Sequence, residues 1–337
     1  DSKGYYSINF SSTYSEIDIQ VRSMGYETIT ETINNISQNK NFYPIEKVFE
    51  IKEVIVKKSP ITQVGDTIKY SVNSFSKEQD RSIGDVLKRM PGIEVLSDGK
   101  ILYQGKPINK YYIEGLDLLE GKYNLANENL PFKEVTQVQI LENHQPIKAL
   151  DSLKFSDQAA LNIKLKNAYT FSGQARLGSG FSPLLWDANI TPMLFTKKKQ
   201  MLTTYQANNS GDNVALQLKK FTIEDLLNQF ENNSKKIDWL SIQQLAAPNF
   251  SEKRWLDNNI HLLSANYLQK LKNDYEMRVN LSYLNDYQQQ NGFTNTKFIT
   301  PANTITILEE KYNQSFYNSL QTNITLQKNA DKNFFKN

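Results

Sequence analysis

Over the second half of the chain, apolar and polar residues alternate with a period of two. Tyr169, Phe171, Ala175, Leu177 and Phe181 interleave with Thr170, Ser172, Gln174, Arg176 and Gly178. Trp186, Ala188, Ile190 and Leu194 alternate with Asp187, Asn189 and Thr191, and Tyr275, Met277, Val279, Leu281 and Tyr283 with Glu276, Arg278, Asn280 and Ser282. Phe316, Leu320, Ile324 and Leu326 repeat the pattern against Ser315, Ser319, Gln321 and Thr325. Successive strand side chains point to opposite faces, so this period predicts strands with one apolar and one polar face. They fall at about 169–181, 186–195, 201–209, 256–268, 275–287 and 304–326. The connections at Lys197-Lys198-Lys199 and at 269–274 are short and polar, whereas 210–254 and 288–303 read as long loops. Within the first of these, Thr222-Ile223-Glu224-Asp225-Leu226-Leu227 reads as a capped amphipathic helix.

From Asp66 to about Lys166 the pattern is mixed. Ile83, Val86, Leu87 and Met90 form the i, i+3, i+4, i+7 stripe of a helix, opened by Ser82 and Asp85 and stopped by Pro91-Gly92. Strands follow at Ile93-Glu94-Val95, from Lys100 to Tyr103, at Tyr111-Tyr112-Ile113 and from Val135 to Leu141, with a helix or turn between Asn124 and Lys133. Before this region the text is strand-like: Tyr5 to Phe10, then Ile17, Ile19 and Val21 in alternation, then Thr28-Ile29-Thr30. About 50 residues cannot close a sandwich that usually needs ~100. A β-branched run between charges, Lys52-Glu53-Val54-Ile55-Val56-Lys57-Lys58, lies between the two regions as an edge strand or tether.

Composition narrows the function. The chain has 337 residues with 39 Lys+Arg against 36 Asp+Glu, a net charge of +3, which disfavours a charge-driven nucleic-acid binder. The absence of Cys excludes thiolate zinc sites and a cysteine nucleophile, and His144 and His261 lie in no metal-ligand spacing. No run approaches the ~18–20 apolar residues of a membrane helix, but a membrane-spanning β-strand takes only ~9–11 residues with every second one polar. The 18 Tyr, 17 Phe and 3 Trp suit such strands.

Met90-Pro91-Gly92-Ile93-Glu94-Val95, Tyr103-Gln104-Gly105-Lys106-Pro107, Tyr112-Ile113-Glu114-Gly115-Leu116-Asp117, Val138-Gln139-Ile140-Leu141-Glu142-Asn143 and Ala160-Leu161-Asn162-Ile163-Lys164-Leu165-Lys166 follow one another along the chain. In that order they resemble the plug-domain signatures of TonB-dependent outer-membrane receptors. The likeness is to the Bacteroidetes branch, where a carboxypeptidase regulatory-like domain, a short Glu-Val-Val-Val-type stretch and the plug are consecutive; Gly25-Tyr26 after a strand is similar to the regulatory-like domain. Gln104-Gly105 stands where the broader family has Arg-Gly, Glu114-Gly115 where it has Asp-Gly, and Asn143-His144-Gln145-Pro146 where it has Lys-Gly-Pro.

The resemblance implies a β-rich chain of four parts. Residues 1–50 are the C-terminal part of a regulatory-like β-sandwich, and 51–65 a TonB-box-like segment and linker. Residues 66–168 are an α+β plug, and 169–337 the first strands of a large antiparallel transmembrane β-barrel. Since such barrels enclose their plug with ~22 strands, the chain reads as the N-terminal part of a longer protein. The TonB-box-like handle falls on Glu53, Val54, Ile55 and Val56, and the plug signature on Pro91, Gly92, Gly105, Glu114, Gly115 and Asn162. The implied activity is energy-coupled import of an unidentified ligand, with no catalytic residue, cofactor or metal. The implied partners are a TonB-type periplasmic energy-coupling protein and outer-membrane lipid, with room for a surface lipoprotein and none for nucleic acid. The competing reading is a soluble or surface-attached β-rich adhesion or interaction protein; sequence beyond Asn337 that continued the period-two strands would decide against it.

Overall fold

The structure is a computed structural model that describes residues 4–47, 59–151, 153–221, 248–249, 251–301, 303–331 and 333–337. The TonB-box-like residues Glu53, Val54, Ile55 and Val56 and the helix expected at Thr222–Leu227 lie outside the described residues. The chain forms two compact units, Asp1–Lys58 and Ser59–Asn337.

In the first unit, β1 (Glu16–Val21) and β2 (Ile29–Asn34) pair antiparallel, with Ile17 opposite Ile33 and Val21 opposite Ile29. Ile17, Ile19 and Val21 of β1 and Ile29 and Ile33 of β2 lie half-buried on one face, with Glu31 among them, and the remaining polar residues lie exposed on the other. Tyr5 to Phe10, expected as a strand, is irregular. No described strand pairs with it, and its Tyr6 hydroxyl donates to the Lys40 carbonyl at 2.7 Å.

The second unit opens with an α+β domain. Its five-stranded sheet has the order β3 (Ile61–Val64), β4 (Thr67–Ser71), β9 (Val135–Leu141), β10 (Ala160–Leu165), β8 (Lys110–Ile113), antiparallel except for the β10–β8 pair. Ile61–Val64, read from the sequence as part of the linker, is the edge strand of this sheet. Three short strands, β5 (Ile93–Val95), β6 (Ile101–Tyr103) and β7 (Lys106–Pro107), form a small second sheet. The helices are α1 (Val72–Phe75), α2 (Ile83–Leu87) and α3 (Asn124–Asn129). In α2 the Ser82 backbone N–H and hydroxyl both donate to Asp85 Oδ2, at 3.2 and 3.3 Å. The helix stops at Leu87, earlier than the stripe implied, yet Ile83, Val86, Leu87 and Met90 are all buried in the domain core.

The remainder is one antiparallel meander: β11 (Tyr169–Gly180), β12 (Leu185–Thr196), β13 (Lys199–Asn208), β14 (Asp257–Lys270), β15 (Tyr275–Ile299), β16 (Thr304–Asn329) and β17 (Phe334–Lys336), each hydrogen-bonded to the next. The tight turns at Lys197-Lys198, at 271–274 and at 330–333 lie at one end of the sheet, the end at which the chain enters from the α+β domain. The expected long loop at 288–303 is a correction: β15 and β16 run 25 and 26 residues and close through a turn at 300–303. Cross-strand pairing continues without a break, Gln289 opposite Gln314 and Ile299 opposite Thr304, because the ladder joins backbone groups and needs no apolar face. Every residue from Phe293 to Ile299 and from Thr304 to Glu310 is exposed, so this hairpin arm stands clear of the rest of the sheet.

Candidate functional site

The two faces of the meander differ in chemistry. One presents Phe171, Leu177 and Ile324, which are 70%, 78% and 66% exposed, with Ile190, Leu263, Leu281 and Leu320. Tyr169, Tyr267 and Tyr275 stand near the tight-turn end of that face, and Trp186, Tyr205 and Tyr287 toward the opposite end. His261 belongs to this outer face: its Nδ1 shares a 3.0 Å hydrogen bond with the Tyr205 hydroxyl. The other face carries Asn189, Thr191, Thr204, Gln206, Ser264, Asn266, Asn280, Ser282 and Thr325, all buried. Of the positions singled out for that face, Gln174 bonds to the α+β domain and Arg176 pairs with Asp187 on β12 at 2.7 Å.

What buries the polar face is the α+β domain. Gln200 donates to the Ile113 carbonyl at 2.7 Å, and the Lys122 ammonium donates to Ser282 Oγ at 3.3 Å. At the tight-turn end, Met193, Phe195, Leu202 and Leu268 join the hydrophobic core of the domain itself. The seam is therefore apolar at that end and built of neutral amides and hydroxyls above it.

One stretch of the seam is charged. Lys110 Nζ lies 2.7 Å from Asp117 Oδ2, and Asp117 Oδ1 accepts the Glu120 N–H at 2.9 Å. The Glu120 carboxylate meets Arg278 Nη1 of β15 at 3.4 Å and Lys336 Nζ of β17 at 2.9 Å, and accepts from Asn323 Nδ2 of β16 at 2.6 Å. Burial pushes the Asp117 carboxyl up, but Lys110 and Arg278 outweigh it and hold the group below its ordinary value. Beside these charges a cavity of about 260 Å³ opens between domain and sheet, lined by Lys110, Tyr112, His144, Lys148 and Glu276 among others. His144 Nε2 and the Tyr112 hydroxyl share a 2.9 Å hydrogen bond there. Burial keeps the His144 imidazole below its usual pKa, ahead of the opposing pull of Asp151 and with help from Lys110.

The signature residues fall into two groups. Glu114 and Gly115 have φ of +51° and +77° and form the two-residue turn after β8, the primed geometry that demands positive φ at both positions. Asn162 Oδ1 accepts the Gly115 N–H at 3.0 Å, while Glu114 Oε1 accepts the Leu165 N–H at 2.6 Å and Oε2 meets Lys164 Nζ at 3.1 Å. The turn that leads to Asp117 and Glu120 is thereby pinned onto β10. Pro91, Gly92 and Gly105 form the second group: the Tyr70 hydroxyl donates to the Pro91 carbonyl at 2.9 Å, and Gln104 N–H donates to the Gly92 carbonyl at 2.9 Å. Gly105, at φ +78°, completes the β6–β7 turn with Gln104 at +48°. All six are framework residues of the domain. Asp117 closes one of the quoted motifs and Arg278 stands at a polar-face position of β15, but the sequence did not mark them or Glu120 as one charged seam.

No family model matches the chain, and no curated protein matches it. Among solved structures it is similar to the alcaligin outer membrane receptor FauA from Bordetella pertussis, at 13% identity and a TM-score of 0.28, over 81% of this chain and 52% of that one. The siderophore receptor PirA from Pseudomonas aeruginosa is similar at 12% identity and a TM-score of 0.29, over 79% and 46%. A mutant ferric enterobactin receptor from the same organism, in complex with enterobactin, is similar at 10% identity and a TM-score of 0.31, over 79% and 46%. The chain spans about half the length of these structures.

Proposed function

We propose that the chain is part of a TonB-dependent outer-membrane receptor of the Bacteroidetes type, in which the α+β domain is a plug seated in a transmembrane β-barrel and displaced by energy-coupled pulling to admit a ligand. The observation that carries this reading is the inverted sheet. Its apolar face is the exposed one, and its amide- and hydroxyl-rich face is buried against a folded domain. A water-soluble sheet would place them the other way round, whereas an outer-membrane barrel has an apolar outside between aromatic girdles and a polar lumen. A large contiguous apolar surface on a soluble adhesion protein would favour aggregation. No described helix is long and apolar enough to cross a membrane, which leaves the strands as the membrane-crossing elements of this reading. In the same reading, residues 1–50 belong to a regulatory-like domain. The receptor needs no catalytic residue, cofactor or metal, and its partners are outer-membrane lipid and a TonB-type periplasmic protein, with a surface lipoprotein as an optional third.

Val279 tests the reading. It lies on the outer face of β15, opposite Ile324 of β16. Arginine there costs roughly 2–4 kcal/mol in hydrocarbon near the midplane, and little on a surface bathed in water. In the full-length protein, Val279→Arg is expected to lower recovery of folded, heat-modifiable protein from the outer-membrane fraction. Recovery equal to wild type would overturn the membrane assignment.

A further inference from the structure

The start of the connection from β13 to β14, residues 209–221, leaves the barrel wall and reaches into the space that the plug occupies. Its first residues are stapled to the wall. Asn208 Oδ1 accepts the N–H groups of Ser210 and Asp212 at 3.2 Å each, and Asn258 Oδ1 accepts the Gly211 N–H at 3.0 Å. Both Asn208 and Asn258 return a side-chain N–H to the Asp212 carbonyl, at 3.0 and 3.2 Å. A 3-10 turn, Val214–Leu218, follows, and Val214 joins a small buried cluster with Ile260, Leu262 and Leu284 of the wall.

From this anchored stretch three contacts reach the plug. Gln217 Oε1 accepts from Asn129 Nδ2 at 2.9 Å, the Phe221 N–H donates to the Gly121 carbonyl at 3.1 Å, and the Phe221 ring lies 5.2 Å from that of Tyr123. Asn129 is fully buried at the end of α3, and its amide gathers several elements. Its Oδ1 accepts from Gln174 of β11 at 2.8 Å and from Asn189 of β12 at 3.0 Å, and its Nδ2 also donates to the Leu125 carbonyl at 2.9 Å. Gln217 is held in turn by Gln206 of β13, whose Nε2 donates to Gln217 Oε1 at 2.7 Å and whose Oε1 accepts from Gln217 Nε2 at 3.1 Å.

We infer that residues 210–221 are a strap, fixed to the barrel and fastened to the plug through Gln217, Phe221 and Asn129, that holds α3 and the Glu120-Gly121 turn in the seated position. The inference rests on the plug-and-barrel reading and adds its regulation. A plug that moves must first give up these contacts, and whatever draws the strap away loosens α3. The coupling is reciprocal, because one free energy links the two positions. The fastening consists of a few hydrogen bonds and one ring contact, so it is weak enough to open and strong enough to bias the seated state.

Hydrogen exchange on the full-length protein, purified in detergent with no ligand or partner, tests this directly. In Gln217→Ala, amides of residues 119–130 are expected to exchange about tenfold faster, the effect of roughly one lost hydrogen bond, and in Phe221→Ala, which keeps the backbone N–H but loses the buried ring, by at least as much. Peptides of β9 and β10 in the plug, and of β13 and β14 in the wall, should keep wild-type protection. Gln217→Glu retains the oxygen that Asn129 donates to and loses the donor to Gln206 Oε1, so its exchange should be slower than that of Gln217→Ala. Unchanged exchange in both alanine variants would overturn the strap. So would loss of protection that spread into β13 and β14, since the segment would then fasten the barrel and not the plug. Failure of Val279→Arg to impair insertion would count against the receptor reading while leaving this measurement intact, so the two are separable.

Discussion

At the scale of single residues, the seam is held by charges whose partners lie far away in sequence. Asp117 is buried between Lys110 and Arg278, and its pKa is depressed below the ordinary carboxylate value. A depressed folded-state pKa means that the unfolded chain takes up the proton first. The stabilisation is therefore complete above the ordinary value of about 3.9 and is lost as pH falls through the lower, folded value. Protection of the 115–122 amides in the full-length protein, taken relative to the intrinsic exchange rate at each pH, should stay flat from about pH 6 to about pH 4.5 and fall only below about pH 4. Asp117→Asn leaves Lys110 without its carboxylate and should show lower protection at every pH, with no step in that window. A step near pH 6 in the wild type would point to His144 instead. The glycines of the signature could be read from sequence because a residue with positive φ leaves a local trace. Asn129 and Arg278 could not, because their roles come from partners 45 and 158 positions distant, Gln174 and Glu120.

Elements were more legible than residues wherever a period carried the signal. The buried stripe of α2 and the two-faced strands follow from spacing alone, since a period of 3.6 or 2 selects which side chains share a face. Leu87 is fully buried in the plug core, so Leu87→Ala should destabilise the plug by about 2–5 kcal/mol through lost contacts and a cavity. Chemical denaturation of the full-length protein, followed at plug peptides by exchange, would measure it; a change under about 0.5 kcal/mol, typical of a surface site, would contradict the scaffold role. Where no face is buried, the pattern loses its meaning. The stretch from Gln288 to Asn303 reads in the sequence as a long loop, yet β15 and β16 pair through it up to Ile299 and Thr304. Ladder hydrogen bonds need no apolar residue, and an arm in water gains nothing from one. The strap failed to register for the opposite reason. Its 3-10 turn has no repeat long enough to detect, and its place under the loop is set by Asn208 and Asn258 on strands that sequence separates by 50 positions.

Across the whole molecule, the proposed function needs force to enter at one end of the plug and meet resistance at the seam. Lys52-Glu53-Val54-Ile55-Val56 precedes the plug, and the first described plug element after it is β3, an edge strand paired only with β4 over four residues. Tension drawn through that segment reaches β3 and its ladder before any other part of the sheet. The charged seam around Glu120 and the strap on Asn129 lie further along the chain, so the plug can yield at its edge while its far side is still fastened. For a TonB-type partner to grip this handle, the run must pair by main-chain hydrogen bonds with a sheet edge, with alternate side chains selecting the partner. Proline removes a backbone N–H and fixes φ, so Ile55→Pro would break such a pairing at its centre. In the full-length protein, Ile55→Pro should insert and display heat-modifiable mobility as wild type does. It should lose binding to the purified periplasmic domain of the TonB-type partner, measured by surface plasmon resonance, and with it energy-dependent uptake. Wild-type affinity in that variant would place the handle elsewhere. Lost insertion would mean that the segment serves assembly and not coupling.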